Sequence, residues 1–245
     1  MKILACDTST LLGSVAVSDS HGIITQRSLQ RAGSHSDSIN EMIRECLLES
    51  KIKLDEIDFF LSGLGPGSFT GIRISLNTVK ALAYVNQKQC SGFDSLFIIA
   101  EQAKFSSSSI TVMINAFKNM VYIAEYKSVD DNKFKKRIEV IKAPQVIRVQ
   151  DLKVFLNSDS LILGDGYLAY ENYLLNHMML KLNRRPEISD FPYAATQCQV
   201  FLQKNNLEMN QIESHSQYHW SKLVPLYLRA SEAEENLAGI KYIGL

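Results

Sequence analysis

The chain contains no CxxC pair, and its four cysteines, Cys6, Cys46, Cys90 and Cys198, stand far apart. That spacing excludes a zinc ribbon or a thioredoxin-like dithiol and reads as four free thiols in a reducing compartment. No stretch approaches the ~18 apolar residues that a membrane-spanning helix needs. The apolar start, Met1 to Cys6, meets Asp7 too soon for a signal peptide. The expected location is therefore the cytoplasm, with no membrane partner. Charge of one sign is not in excess either, since Lys plus Arg is 26 and Asp plus Glu is 26. A protein that holds nucleic acid by itself usually carries a basic surplus, so only local basic patches remain open. What is present is ordinary globular material. Apolar residues make up 46% and charged residues 21%, which excludes a mainly disordered chain. At 245 residues, folding buries roughly 70–75% of the unfolded surface, enough for one large domain or two lobes.

Strand signals come first: Lys2 to Cys6, Ser14 to Ser18 after Gly13, and Ile23 to Leu29 after His21-Gly22. A helix follows, with Ser34 or Ser36 as its N-cap and Ile39, Met42, Ile43, Cys46 and Leu47 at three- and four-residue spacing. Ile57 to Leu61 reads as a buried strand, and Thr70 to Val85 as a second helix. The run Phe105-Ser106-Ser107-Ser108-Ser109 reads as a linker. After it the pattern starts again, with strands at Ile110 to Ala116, Met120 to Tyr126 and Phe134 to Ile141. A helix at Gln145 to Leu156, the strand Leu161 to Leu163 and a helix at Tyr167 to Leu182 complete it. The expected division is a first lobe over 1–104, a second over 105–230 and a tail over 231–245. The expected class is α/β, with a duplicated unit and mixed sheets flanked by helices. The ribonuclease H-like duplication of the actin and sugar-kinase superfamily has this order.

The most distinctive segment runs from Gly63 to Ile74, Gly-Leu-Gly-Pro-Gly-Ser-Phe-Thr-Gly-Ile-Arg-Ile, between a strand and a helix. Glycines there permit close backbone approach, and a helix N-terminus favours an anion. No Gly-Lys-Ser/Thr follows, so it is not a P-loop, and the third glycine is displaced from a dinucleotide fingerprint. A tight turn without ligand explains it equally well. Asp7-Thr8-Ser9-Thr10 ends the first strand with a carboxylate and hydroxyls, the arrangement that orients magnesium and phosphate in actin-like ATPases. Asn115, where the second half would supply its own carboxylate, is neutral. Gly164-Asp165-Gly166 fits a nucleotide pocket or a plain turn. His215 and His219 amount to half a metal site, with Glu213 the sole nearby carboxylate, so no metal is expected. Lys135-Lys136-Arg137 reads as a solvated strand edge.

Several of these residues together resemble the TsaB (YeaZ) family of bacterial tRNA threonylcarbamoyladenosine synthesis. The matching pieces are Ile3 to Thr10, Ser14 to Val17, His35-Ser36 and Gly65 to Ile74, followed by Lys80 to Ala83. Val121-Tyr122, Gly164 to Gly166 and Pro225 to Arg229 come later in the family's order. The resemblance implies a two-lobed actin-like fold and a non-catalytic partner role. The paralogue TsaD would transfer the threonylcarbamoyl group to the adenosine beside the anticodon, and the ATPase TsaE would join the complex. It also implies that the chain dimerises, or binds TsaD, through its first two helices. The interface residues would be His35, Ile39, Met42, Ile43, Cys46, Phe69, Arg73, Leu76 and Lys80. The same apolar stripe could instead face the sheet. No cofactor would be tightly bound. A weak ATP or ADP with Mg would sit between the lobes or at the junction of the three proteins, with Asp7, Thr8, Ser9, Gly164, Asp165 and Gly166 as candidates. tRNA would be met only through the complex. TsaD-like enzymes carry a metal-binding His-x-x-x-His after the second helix, where this chain has Asp94 to Glu101 and no histidine. The family often has Asp-Ala-Arg where this chain has Asn115-Ala116-Phe117. The rival readings are an actin-like small-molecule kinase, which requires Asp7, and a metallopeptidase, which requires a bound metal.

Overall fold

The computed structural model describes residues 1–30, 36–205 and 216–230, together with 234 and 237. The chain divides into two compact units. One comprises Met1–Ile98 with Pro192–Leu226, the other Ile99–Phe191 with Tyr227–Leu245.

The first unit is built on five strands: β1 (Ile3–Asp7), β2 (Leu12–Asp19), β3 (Gly22–Gln30), β4 (Phe59–Gly63) and β5 (Gln89–Phe93). Their order is β3-β2-β1-β4-β5. The first three form an antiparallel meander, and β4 and β5 add in parallel to β1. β1 is buried on both faces, which explains its unbroken apolar run. Leu4 and Cys6 pack with Phe60 beneath α1 (Ser36–Ser50) and α2 (Phe69–Val85). Ile3 and Ala5 pack with Phe59 and Leu61 beneath α5 (Ala194–Asn205).

The stripe on α1 faces the sheet. Ile39 and Cys46 are 1% and 0% exposed, and Met42 and Ile43 join them in one core with Val15 and Val17. Leu76 of α2 lies in the same core. These five residues therefore cannot form the partner surface that the resemblance assigns to them. The sheet has first claim on the stripe, because a surface helix buries its apolar face against its own domain. Ser34 and His35 lie outside the described residues. α2 starts as its sequence requires, with the Ser68 hydroxyl capping the Gly71 amide at 3.2 Å.

The second unit repeats the scheme with one strand fewer. β6 (Ser109–Asn115), β7 (Met120–Asp131), β8 (Lys135–Arg148) and β9 (Leu161–Leu163) lie in the order β8-β7-β6-β9. β6 to β8 are antiparallel neighbours, and β9 runs parallel to β6. This strand order, shared by both sheets, makes the fold a duplicated ribonuclease H-like one. Two helices differ from expectation. Gln145 to Arg148 continue β8, and only a 3-10 turn, Val149–Val154, follows. The helix expected to reach Leu182 is α4 (Asp165–Asn172), closed by one π-helical turn at Tyr173–His177.

The division also departs from the sequence-based boundaries. Residues 192–226 belong with the first unit rather than the second, because α5 packs on β1, β2, β3 and β4. The serine run does not separate the units. Ser108 carbonyl accepts from the Ser128 amide, and the Ser128 hydroxyl donates to Lys104 carbonyl at 2.5 Å, all within the second unit. The division falls inside α3 (Ser95–Gln102).

Candidate functional site

In the first unit, β1 delivers Asp7 to the end of the sheet, fully buried. Its Oδ1 accepts the Ser9 amide at 2.8 Å and the Ser9 hydroxyl at 2.6 Å. Its Oδ2 accepts Gln197 Nε2 at 3.0 Å and the Ser95 hydroxyl at 3.4 Å. Both carboxylate oxygens are thus engaged by the chain's own donors. Burial pushes Asp7 up to about 6, although the bonds from Ser9, Ser95 and Gln197 pull the other way. Asp94 caps the start of α3 through the Leu96 amide at 2.8 Å. Burial raises it to about 6 as well, and the Asp7 charge adds to that.

The glycine segment wraps this centre. The Ser68 amide donates to Ser9 carbonyl at 2.7 Å. The Thr8 hydroxyl donates to Gly71 carbonyl at 2.6 Å and accepts from the Ser75 amide at 3.1 Å. A Cβ on Gly71 would stand 1.9 Å from Thr8 carbonyl oxygen, and one on Gly63 would stand 2.1 Å from Asp7 Oδ2. The glycines are therefore needed for backbone contact with the Asp7-Thr8-Ser9 turn. This explains the segment without a phosphate.

In the second unit, Gly164-Asp165-Gly166 starts α4 against β6. Gly164 has φ +103°, and a Cβ there would stand 1.9 Å from Met113 carbonyl oxygen, so glycine is required. Asp165 Oδ1 accepts the Asn115 amide at 2.9 Å. Burial raises Asp165 to about 6, and Asp190 nearby adds to the shift. The Gly164 amide is taken by Asp190 Oδ1 at 2.7 Å. Asp190 is in turn held by both terminal nitrogens of Arg184, at 2.8 and 2.7 Å. Arg184 lies over the Tyr167 ring, 4.1 Å from its centre. Asn115 spends its side-chain oxygen on the Phe117 amide. Phe117, Lys118 and Asn119 all carry positive φ, and Arg229 Nη1 pins Ala116 carbonyl beside them at 2.6 Å.

Of the expected interface residues, Phe69, Arg73 and Lys80 remain at least partly accessible. The Arg73 guanidinium lies 3.9 Å from the centre of the Phe69 ring. Lys80 Nζ donates to Leu223 carbonyl at 3.1 Å. His219 sits on an exposed turn with Nδ1 2.7 Å from the Ser221 hydroxyl, and His215 lies outside the described residues. Gln197, Ser95, Arg184 and Asp190 were not singled out from sequence. Gln197 and Ser95 meet Asp7, Asp190 meets Gly164 and Arg184 meets Asp190 only through the fold. Asp94 had a signal, an Asp standing before a short apolar helix.

A profile of the family described as TsaD, tRNA N6-adenosine threonylcarbamoyltransferase, matches residues 23–237. The tRNA threonylcarbamoyladenosine biosynthesis protein TsaB of Buchnera aphidicola subsp. Schizaphis graminum is 31% identical over 169 residues, covering 67% of this chain and 79% of that one. Its namesake in Escherichia coli (strain K12) is 27% identical over 248 residues, covering 98% and 99%. The solved structure of YeaZ from Pseudomonas aeruginosa superposes with a TM-score of 0.70 at 24% identity, covering 93% of this chain and 99% of that one.

Proposed function

The chain belongs to the TsaD family on its TsaB (YeaZ) side, and from that premise we propose that it acts in tRNA threonylcarbamoyladenosine synthesis as a non-catalytic scaffold subunit. Its partner is TsaD, which performs the transfer to the adenosine beside the anticodon, and the pair recruits TsaE. The chain also pairs with itself, in competition with TsaD. The observation that carries this reading is Asp7. Phosphoryl transfer on an actin-like fold needs that carboxylate open to a hydrated magnesium ion. Here it is buried and bonded to Ser9, Ser95 and Gln197. The neighbouring amides of Ser9, Ser68 and Gly71 are likewise spent within the chain. Gly164 N–H is taken by Asp190 in the second unit. These donors do not fit a phosphate cradle, so we assign no tightly bound nucleotide to this chain and place ATP chemistry on its partners. The kinase reading loses its principal residue by the same observation.

The partner surface we assign is the outer side of the first two helices. It uses Arg44 and Leu48 of α1 with Phe69 and Arg73 of α2, in place of the buried stripe. An interface of that kind buries about 800 Å² per partner. The testing experiment is an omission assay. TsaD, TsaE and the threonylcarbamoyl-adenylate synthase are mixed with ATP, threonine, bicarbonate and unmodified tRNA. Modified adenosine should form only when this chain is added, and an Asp7→Asn variant should support it as well as the wild type. Equal product without the chain overturns the role. Loss of product in a folded Asp7→Asn variant overturns the non-catalytic assignment.

A further inference from the structure

A partly exposed cluster of rings lies where the turn at Trp220–Lys222 packs against the end of α2. The Tyr84 and Trp220 rings meet edge to face at 5.3 Å, and His219 lies 5.1 Å from Trp220. Trp220 is anchored on the core of the first unit, whereas Tyr84 is 64% exposed. Val85 and Val224, adjacent in sequence to this contact, are 75% and 62% exposed. The two segments that build the cluster share an unusual charge pattern. From Phe59 to Phe93, and again from Ser214 to Ser231, there is no Asp or Glu. The first stretch carries Arg73, Lys80 and Lys88, and the second carries Lys222 and Arg229. Lys80 Nζ reaches Leu223 carbonyl and so ties the two together. These two segments keep the chain's ordinary share of cations but lack carboxylates, and they present Tyr84 and His219, both exposed, beside the partly buried Trp220.

We propose that this cluster is a contact for single-stranded RNA, with an unpaired base stacking on the exposed Tyr84 ring beside Trp220 and with Lys88 and Lys222 meeting its phosphates. Cations alone would suit any polyanion. An exposed ring such as Tyr84 suits one whose flat faces are unstacked, as in an RNA loop rather than a duplex. The inference rests on the tRNA-modification reading for its biological sense but gives this chain a direct RNA contact. It can fail without that reading failing.

Trp220 is the only tryptophan in the chain, so its fluorescence reports the site directly. The probe is an RNA hairpin with a purine-containing loop, titrated into the full-length protein beside a blunt RNA duplex. The hairpin should quench Trp220 saturably and the duplex should not. Tyr84→Ala should weaken hairpin binding about five- to 150-fold, the worth of one stacked base, and Tyr84→Phe should restore it. Lys222→Gln should lower the slope of log K against log salt by about 0.7, the loss of one phosphate contact. Unmoved fluorescence, or an affinity unaffected by Tyr84→Ala, overturns the proposal. If Tyr84→Ala weakens TsaD binding and leaves the hairpin untouched, the cluster is a protein contact and the proposal again fails. A chain that remains necessary in the omission assay while Trp220 is silent leaves the scaffold role standing. Quenching without any effect of omission would do the reverse.

Discussion

The Gln197 side chain donates its amide to Asp7 Oδ2 at 3.0 Å across 190 residues of sequence, while its own Oε1 meets no donor among the described residues. The carboxylate thus dictates how the amide is turned, and α5 is tied to the end of β1 by a polar bond as well as by its apolar face. A buried acceptor without a partner is unfavourable. A group at position 7 that offered a donor would let the amide turn and satisfy it.

Asp7→Asn supplies such a group. Asp7 and Asp94 are pushed up to about 6 in the folded chain against an ordinary 3.8. Between those values the folded state holds protons that the unfolded state releases, so each carboxyl lowers stability as pH rises from about 4 to 6. The loss is on the order of 3 kcal/mol per carboxyl, and it stays level above that range. Asp7→Asn should remove one such step. Its stability advantage over the wild type should grow from pH 4 to pH 6, as read by urea unfolding at each pH. Parallel pH profiles would contradict the assignment.

Ile43→Glu and Arg73→Glu should separate folding from association. Ile43 is 7% exposed in the core of the first unit, so a carboxylate there should cost roughly 4 kcal/mol or more and unfold the monomer. Arg73 lies on the outer side of α2, and Arg73→Glu should leave the melting temperature within a few degrees while weakening TsaD binding. Circular dichroism melts and a pull-down with TsaD distinguish the two. A folded Ile43→Glu protein that fails only in binding would return the stripe to the partner surface.

Gly71→Ala should destabilise by about 3 kcal/mol, because the added methyl is driven against Thr8 carbonyl oxygen at 1.9 Å and both sides of that contact are backbone. The measurement is the urea midpoint. A change within error of zero would show that the glycine segment can part from the β1 turn freely.

Arg184→Leu leaves Asp190 without its two-pronged partner in a half-enclosed site, and should cost about 3 kcal/mol. Arg184→Lys should recover less than half, since an ammonium cannot match both carboxylate oxygens or lie flat on Tyr167. Unfolding of the second unit followed by hydrogen exchange at Gly164 and Asn115 would register both.

β1 to β4 and the course of α2 were legible because their signals are local, whereas β5, Gln89–Phe93, has only Cys90 and Phe93 as apolar residues and gives no strand signal. Apolar runs end at glycine, and Ser68 stands where a cap is needed. The glycine segment stands out by composition, but neither its place against Asp7 nor its purpose is readable there. Only the fold shows Gly63 and Gly71 giving way to Asp7 and Thr8. Ile39, Met42, Ile43 and Cys46 declare an apolar face but not what covers it, and here the sheet does. Gln145 to Arg148 contain Val146 and Ile147, which suit strand and helix alike, and pairing with β7 decides for the strand. Gln197 carried no signal, because a glutamine on an amphipathic helix is usually solvated. Its partner lies at the far end of the chain.

The return of residues 192–226 to the first unit sets an order on synthesis. As the chain leaves the ribosome, β1 to β5 emerge early with Ile3, Ala5, Phe59 and Leu61 uncovered on one face. The element that covers them, α5, comes only after all of the second unit's strands have been translated. The second unit can therefore close while the first is still open, and a product cut short before Ala194 would display that apolar face to chaperones and proteases.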